Sequence, residues 1–319
     1  MRFRASLPDL ASSRGMALIA VLWIVSLLAL LAAGIGSSSR VSSQLAFNAL
    51  DNTKAKFLAE AGINRVIYRL LRRDVFPAPL IDGSSSFSFR MEEGAVAVQI
   101  QDEDGKIDLN FATVELLAGL IEHVGLEGND VARAMAEKIV DYRDSDQTPL
   151  PAGAESPTYA AAGKARGAAD RPFRQVEELT SVLGMTDALY ERLRHHVTVF
   201  AEAEGFDPLR ASDAALRALP GIDAEALSLI RAGNGDTLSI LPDKVSETLE
   251  DYVLISRDMV FELRALGQTR GGGLFLRSAV IALDGGRGRK PFTTFRWRRG
   301  TLTDADPLLP LMNRLAPSL

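Results

Sequence analysis

The sequence contains no cysteine, which excludes disulfide bonds, thiolate metal sites and thiol catalysis. Histidine is also scarce: the chain has only His123, His195 and His196, and the last two are adjacent, so they would point in different directions on a helix. A histidine-rich zinc site is therefore not expected. The common signatures of hydrolases, phosphate-binding loops and dinucleotide-binding turns are missing as well. We therefore expect a protein that is not an enzyme. The alternative is an exported hydrolase, which would need a nucleophile and a base that we do not find in the sequence.

Charge is missing from residues 15–39, which read GMALIAVLWIVSLLALLAAGIGSSS. At about 1.5 Å per residue, the stretch from Met16 to Ile35 makes a helix of about 30 Å, the thickness of a bilayer hydrocarbon core. Ser26 is the single polar side chain of that stretch, so the polar face of a soluble surface helix is missing. We therefore expect a transmembrane helix over residues 16–39. A buried helix in a soluble domain is the alternative.

The residues before this segment are basic, with Arg2, Arg4 and Arg14 against Asp9. By the positive-inside rule, this holds the N terminus in the cytoplasm and sends the rest of the chain outward. The chain has 319 residues, of which 47% are hydrophobic and 24% charged, so the exported part can form one large or two ordinary domains. Small residues at 32–34 also allow a cleavable secretory signal as an alternative.

Arg14 and Gly15, followed by an uncharged run that begins at Met16, resemble the class III leader of type IV pilin-like proteins. The resemblance implies that prepilin peptidase cuts between Gly15 and Met16 and that the apolar run remains as the N-terminal helix. Pilins and major pseudopilins carry glutamate at the fifth mature position, where this chain has Ala20. The missing glutamate and the large exported domain together resemble the K-type minor pseudopilin of the type II secretion system, the GspK family.

This resemblance implies a protein at the tip of the pseudopilus, which initiates or caps assembly and supports protein export across the outer membrane. It implies a single-pass protein of the bacterial inner membrane, with its N terminus in the cytoplasm and its bulk in the periplasm. The implied partners are the other minor pseudopilins, of the I and J types, together with prepilin peptidase and the inner-membrane secretion platform. Nucleic acid is not among them.

Beyond the span, apolar residues recur at three- and four-residue intervals over residues 41–73, which predicts an amphipathic helix continuous with the membrane segment. The segment FLAEAGINRVIYRLL in this helix resembles the AEAG-type patch with which related pseudopilins pack their stem helix on a sheet. Pro77 and Pro79 then end the helix. Period-two alternation predicts strands in SFSFRME and AVAVQIQDED, and again near the C terminus in FELRALGQ, FLRSAVIALD and TTFRWRRG.

We therefore predict an α+β protein with a type IV pilin-like fold, in which a long N-terminal helix packs on an antiparallel sheet and a large α-helical insertion splits that sheet in sequence. The predicted division is a leader at 1–15, a transmembrane helix at 16–39, the stem helix and first strands at 40–101, the helical insertion at 102–250, and the last strands and tail at 251–319.

The insertion contains three segments with the order helix, tight turn, helix, with turn glycines at Gly125, Gly184 and Gly221. This is the pattern of helix-hairpin-helix or SAM-like units. Since such hairpins can offer backbone N–H groups to phosphates, a membrane-anchored DNA-binding protein of a competence-like system is the alternative function. However, residues 102–199 carry 18 Asp plus Glu against 10 Lys plus Arg, and Asp223 follows the last of these glycines. A phosphate-binding face should be positive, so we favour protein contact.

Two acidic clusters are candidate cation sites. The segment DYRDSDQTPLPAGAE sets Asp141, Asp144, Asp146 and Glu155 in a helix end and a proline-containing loop. Ca²⁺ takes about six to eight oxygen ligands from such groups, and the resemblance to the K-type family implies calcium in this part of the chain. A solvated acidic loop is the alternative. The segment DEDGKID, at residues 102–108, partly resembles a calcium loop but lacks the distal glutamate of an EF-hand, and a strand-ending turn is its alternative. Calcium is the one candidate cofactor.

Overall fold

The computed structural model describes residues 13–72, 84–125, 128–232, 252–253, 260–284, 290–301 and 303–315, without the side chains of residues 13–15 and 32–40. Most of the predicted leader therefore lies outside the described residues, as do Pro77 and Pro79.

Helix α1, Ser13–Leu71, is continuous over 59 residues, or about 90 Å. This confirms that the apolar segment and the stem form one helix. Its apolar first part is exposed, with Trp23 at 73% and Leu30 at 72% exposure. Taken over their described residues, none of the helices offers an apolar stretch long enough to span a bilayer.

The described residues form seven strands. They are β1 Ser84–Met91, β2 Gly94–Asp102, β3 Ile107–Asp108, β4 Val197–Thr198, β5 Val260–Thr269, β6 Leu274–Leu283 and β7 Phe292–Arg299. Five of them make one antiparallel sheet in the order β1-β2-β5-β6-β7, while β3 and β4 pair in parallel with each other. Residues 103–259 separate β2 from β5, yet these strands pair side by side. The split sheet is confirmed, and with it the α+β, pilin-like fold with a helical insertion.

The stem half of α1 lies on one face of the sheet, and two glycines allow the close approach. A Cβ at Gly62 would lie 2.5 Å from Val96 Cγ1, and a Cβ at Gly267 would lie 2.4 Å from the Ala55 carbonyl oxygen. Ala59, between these contacts, is fully buried. The AEAG-type patch therefore packs against the sheet as predicted, because small residues let the helix and the strands meet.

One end of the sheet lies close to the apolar half of α1, and the other end carries the connections to the insertion. At one end, the Gly273 N–H of the β5–β6 turn donates to the Asp51 carboxylate at 2.8 Å, close to the apolar half of the helix. At the other end, β2 finishes at Asp102, which pairs with Phe261 of β5. The chain leaves for the insertion and returns from it at this second end. The insertion thus joins the sheet at the end remote from the apolar half of α1.

The described part of the insertion contains six α-helices. They are α2 Val114–Val124, α3 Asn129–Arg143, α4 Ser156–Ala161, α5 Asp187–Leu193, α6 Asp213–Arg217 and α7 Ala224–Ala232. These helices share one apolar core, in which Leu116, Leu120 and Ile139 are at most 1% exposed. This core is separate from the one between α1 and the sheet.

The three predicted hairpin turns are confirmed by their glycines. The φ angles are +156° at Gly125, +88° at Gly184 and +74° at Gly221, in the region that favours glycine. One helix was predicted wrongly: the segment before Gly184 is a 3₁₀ helix, Val176–Ser181, and not an α-helix. Within it, the Thr180 hydroxyl donates to the carbonyl three residues back, a local bond that competes with α-helical pairing.

A short helix, α8, covers the face of the sheet opposite α1. It runs from Leu309 to Leu315 and buries Met312. Met312 and Leu308 form a small apolar cluster with Ala97 and Leu266 of the sheet. A helix therefore packs on each face of the sheet, while Phe295 and Trp297 of β7 stay 52% and 41% exposed.

Candidate metal centre

Three carboxylates converge where helix α3 ends and the following loop returns to it. Asp141 lies in the last turn of α3, Asp144 caps its C terminus, and Glu155 precedes α4. One oxygen atom from each lies within 4.8 Å of the other two. Negative charges this close repel one another, so the arrangement is favourable only when a proton or a cation is shared among them.

The loop between α3 and α4 is held by the helix beneath it. The Leu150 N–H donates to the two Asp141 oxygens at 3.3 and 3.2 Å, and the Ala152 N–H donates to Glu137 Oε2 at 2.7 Å. Glu137 and Asp141 lie one turn apart on α3 and so share a face. Gly153 completes the contact, because a Cβ there would lie 1.9 Å from Asp141 Oδ2. Backbone contacts therefore fix how the loop approaches α3.

Glu155 is the member of the group with the strongest need for a partner. It is 2% exposed, and among the described residues neither of its carboxylate oxygens has a hydrogen-bond donor. Asp144 Oδ1 is also buried without a donor. Burial, followed by the charges of Asp141 and Asp144, raises the pKa of Glu155 to about 7. A buried carboxylate without donors is costly, so these atoms favour a bound cation at neutral pH.

The donor set fits calcium. The group consists of carboxylates alone, which suits a hard cation better than zinc. Ca²⁺ accepts about six to eight oxygens, supplied by carboxylates, loop carbonyls and water. Burial raises the pKa values of Asp141 and Asp144 as well, as is common where acidic groups serve a function. Asp141, Asp144 and Glu155 would hold the ion, and it would neutralise their charge.

Asp146, the fourth predicted ligand, is exposed and its Oδ1 accepts the Thr148 N–H at 2.7 Å. It lies outside the group of three, and its role as a ligand stays a prediction. Sequence reasoning missed Asp170, whose charge helps to raise the pKa values of Glu155 and Asp144. Its φ of +50° is tolerated by aspartate. No spacing signal in the sequence connects Asp170 with Glu155.

The second acidic segment, residues 102–108, forms the turn that leads out of the sheet. Asp102 Oδ1 accepts the Asp104 N–H at 3.0 Å. Asp108 accepts the N–H groups of Asn110 at 2.8 Å and Glu202 at 2.9 Å, and burial raises its pKa to about 6. These carboxylates satisfy backbone donors, which favours the alternative of a strand-ending turn.

The hairpin around Gly221 has the sequence that best fits a phosphate-binding pattern. In it, the chain's own Asp223 carboxylate takes the position that a phosphate would occupy. Asp223 Oδ1 accepts the Ala226 N–H at 2.7 Å, at the start of α7. A phosphate would meet this carboxylate where it needs free N–H groups. The DNA-binding alternative therefore gains no support here.

The residues of the predicted processing site lie in the first turns of α1. Gly15 belongs to the helix, and Met16 and Ala20 are exposed. The side chains described here do not test whether the chain is cut between Gly15 and Met16. That cleavage stays a prediction.

Comparison with known proteins relates the chain to one secretion component. The family model described as type II secretion system protein K matches residues 98–202. Type II secretion system protein K of Klebsiella pneumoniae is 28% identical over 208 residues, which cover 59% of this chain and 63% of that protein. The protein of the same description from Pectobacterium carotovorum subsp. carotovorum is 25% identical over 238 residues, 68% of this chain and 70% of that protein.

A solved structure shares the fold. A chain of the crystal structure of the GspK-GspI-GspJ complex from the enterotoxigenic Escherichia coli type 2 secretion system matches with a TM-score of 0.59. The match covers 82% of this chain and 99% of that one, at 17% identity. At this identity, the likeness supports the fold alone.

Proposed function

We propose a role for this chain on the premise that it belongs to the type II secretion system protein K family. In this role it is the minor pseudopilin at the tip of the pseudopilus, where it initiates or caps assembly and supports export across the outer membrane. It acts by contact with other subunits and not as an enzyme. The observation that carries the proposal is the place of the helical insertion, at the end of the sheet remote from the apolar half of α1.

The tip position follows from packing. Pilin-like subunits assemble through long helices side by side, so a bulky domain beyond the sheet would collide with any subunit stacked above it. Ala20 adds a second reason, because it offers no carboxylate to the N-terminal amine of a neighbouring subunit. An unpaired charge in hydrocarbon costs several kcal/mol, so a glutamate at this position would favour docking beside an amine that pairs with it. This chain has no such glutamate and lacks that incentive to dock beneath another subunit.

The apolar start of α1 supports anchoring in the inner membrane. The run from Met16 onward has no charge, and its described side chains are exposed in the isolated chain. With the basic leader in the cytoplasm, the sheet and the insertion lie in the periplasm. Prepilin peptidase and the inner-membrane platform are the partners expected there. Replacing Gly15 with leucine should block cleavage, and mass spectrometry of the wild-type chain should find Met16 at the N terminus.

The lateral partners are the I- and J-type minor pseudopilins, by analogy with the solved GspK-GspI-GspJ complex, one chain of which shares this fold. Calcium bound by Asp141, Asp144 and Glu155 holds the loop between α3 and α4 and so stabilises the insertion. The position can be tested by immunogold labelling of an epitope on the full chain in assembled pseudopili. Label at one end of the fibre is expected, and label along its length would contradict the tip assignment.

A further inference from the structure

A cleft of about 370 Å³ lies between the sheet and the helical insertion. Gln99, Gln101 and Arg264 line it from the sheet, while Lys106 and Ser212 line it from the other side. The described residues in its wall include two cationic side chains, amides, hydroxyls and imidazoles, and none of them is a carboxylate. We propose that this cleft binds a ligand with a single carboxylate, either the C terminus of a polypeptide or a small carboxylic acid.

Two cations of the cleft wall, Lys106 and Arg264, belong to a buried cluster of ion pairs. The Glu262 carboxylate pairs with Lys106 at 3.1 Å and with Arg264 and Arg296 at 2.8 Å each. Lys106 also pairs with Glu103 at 2.7 Å. The side chains of all five are at most 18% exposed, and the nearby Asp304 carboxylate, which pairs with Arg194 at 2.7 Å, helps to raise the pKa of Arg264. The carboxylates of this cluster do not line the cleft, whereas Lys106 and Arg264 do, so the cleft wall itself presents positive charge to a ligand.

Hydrogen-bonding capacity remains available at the cleft. Among the described residues, Arg264 bonds to Glu262 through Nη2, and a guanidinium has five donors. Lys106 Nζ donates to Glu103 and Glu262 and has three donors. Gln99 Oε1 is buried and has no donor among the described residues. A carboxylate can accept from Arg264 and Lys106, and a neighbouring N–H or O–H of the same ligand can donate to Gln99.

The remaining polar groups of the wall are neutral, which favours a monoanion over a phosphate dianion. Burial and the Lys106 ammonium lower the pKa of His196. Its ring is therefore uncharged at neutral pH, and its Nδ1 hydrogen-bonds with the Ser212 hydroxyl at 2.7 Å. Amide and hydroxyl groups suit a peptide backbone, and the cleft volume lies near the lower end of the range of about 300 to 1,000 Å³ found for small-ligand sites.

The test is titration calorimetry on the full chain in detergent, with acetyl-Ala-Ala and its C-terminal amide as probes. The acid should bind at least 10-fold more tightly than the amide. Propionate distinguishes the two proposed sources of the carboxylate. If propionate binds as tightly as acetyl-Ala-Ala, the ligand is a small acid. If propionate binds more weakly, the ligand is the C terminus of a polypeptide. Equal binding of acid and amide, or no binding of the acid, would overturn the proposal.

Two variants place a carboxylate in the cleft wall and should weaken binding of the acid at least 10-fold. They are Gln101→Glu and Ser212→Asp, the second of which keeps a good N-cap residue for α6. Gln147→Glu, at an exposed loop position, is the matched control and should bind like the wild type. Melting temperatures establish that each variant folds. If folded Gln101→Glu and Ser212→Asp both bind like the control, the cleft is not the site.

Discussion

Asp141 and Glu155 bring carboxylate oxygens to within 4.8 Å of each other, although only Asp141 accepts hydrogen bonds from the loop that separates them. The Asp141 side of the pair accepts the Leu150 N–H, whereas Glu155 is buried with both oxygens unpartnered among the described residues. This asymmetry makes Glu155 the residue most dependent on a cation. The insertion should therefore be more stable with the ion than without it.

Calcium should raise the melting temperature of the full chain in detergent. A ligand that binds the native state at about 100 times its Kd adds about 2.7 kcal/mol, which corresponds to a shift of several degrees. Glu155→Gln should abolish this shift, because it removes charge from a residue that would hold the ion. Glu122→Gln, an exposed glutamate of α2, is the control and should respond like the wild type. Equal melting temperatures in EGTA and in millimolar Ca²⁺ would show that this site does not bind calcium.

The stability of the chain in EGTA should fall as the pH rises from 5 to 8. The pKa of Glu155 is about 7 in the folded chain against 4.5 ordinarily, so the folded state binds more protons than the unfolded state between these values. Its stabilising contribution is complete below pH 4.5 and is lost as the pH passes 7. Denaturant titrations in EGTA should show this fall, which Ca²⁺ or Glu155→Gln should diminish. If the stability of Glu155→Gln in EGTA falls by the same amount, the pH dependence arises from another group.

Glu137 should act as a positioning residue for the metal loop, since it accepts the Ala152 N–H at 2.7 Å. Glu137→Leu should weaken the apparent affinity for Ca²⁺ by about 10- to 100-fold, the usual effect of losing such support. Glu137→Gln keeps an acceptor oxygen and should lose less. Glu115→Gln, which also removes a partner of Arg133, is the control. Calcium titrations followed by thermal shift give the affinities, and wild-type affinity in Glu137→Leu would exclude this role.

Gly62 should be needed for the contact between α1 and the sheet. Gly62→Ala should lower the free energy of unfolding by about 1 to 3 kcal/mol through overpacking. The higher helix propensity of alanine should offset about 1 kcal/mol of this loss. Val96→Ala removes the atom that a Cβ at position 62 would meet, so the double variant should lose less than the sum of the two single losses. Asn64→Ala, exposed on the same helix, is the control. Additive losses in denaturant titrations would show that the two residues do not conflict.

The parts of the fold that depend on local pattern could be predicted from the sequence. The strands of the large sheet follow from period-two alternation, and the turn glycines of the three hairpins follow from the need for positive φ at Gly125, Gly184 and Gly221. The helix before Gly184 was predicted wrongly, because a short segment near a turn can form local hydrogen bonds that favour a 3₁₀ helix.

The candidate site was predictable only as a cluster of acidic residues. Asp141, Asp144 and Glu155 lie in one segment, so composition pointed to them, whereas Asp170 approaches them through the tertiary fold. The supporting contact of Glu137 could not be predicted, because it depends on how the loop folds back over α3. The pairing of Lys106 with Glu262 joins distant parts of the chain and has no local signal.

The most direct test of the central claim is co-purification of the full chain with the I- and J-type minor pseudopilins of the same bacterium. Affinity capture from detergent-solubilised membranes, followed by size-exclusion chromatography with light scattering, should give a complex with one copy of this chain and both partners. The same preparation of Ala20→Glu tests whether the missing carboxylate contributes to the tip position. If the wild-type chain instead elutes without these partners, or forms polymers of itself, the assignment as a minor pseudopilin at the tip is contradicted.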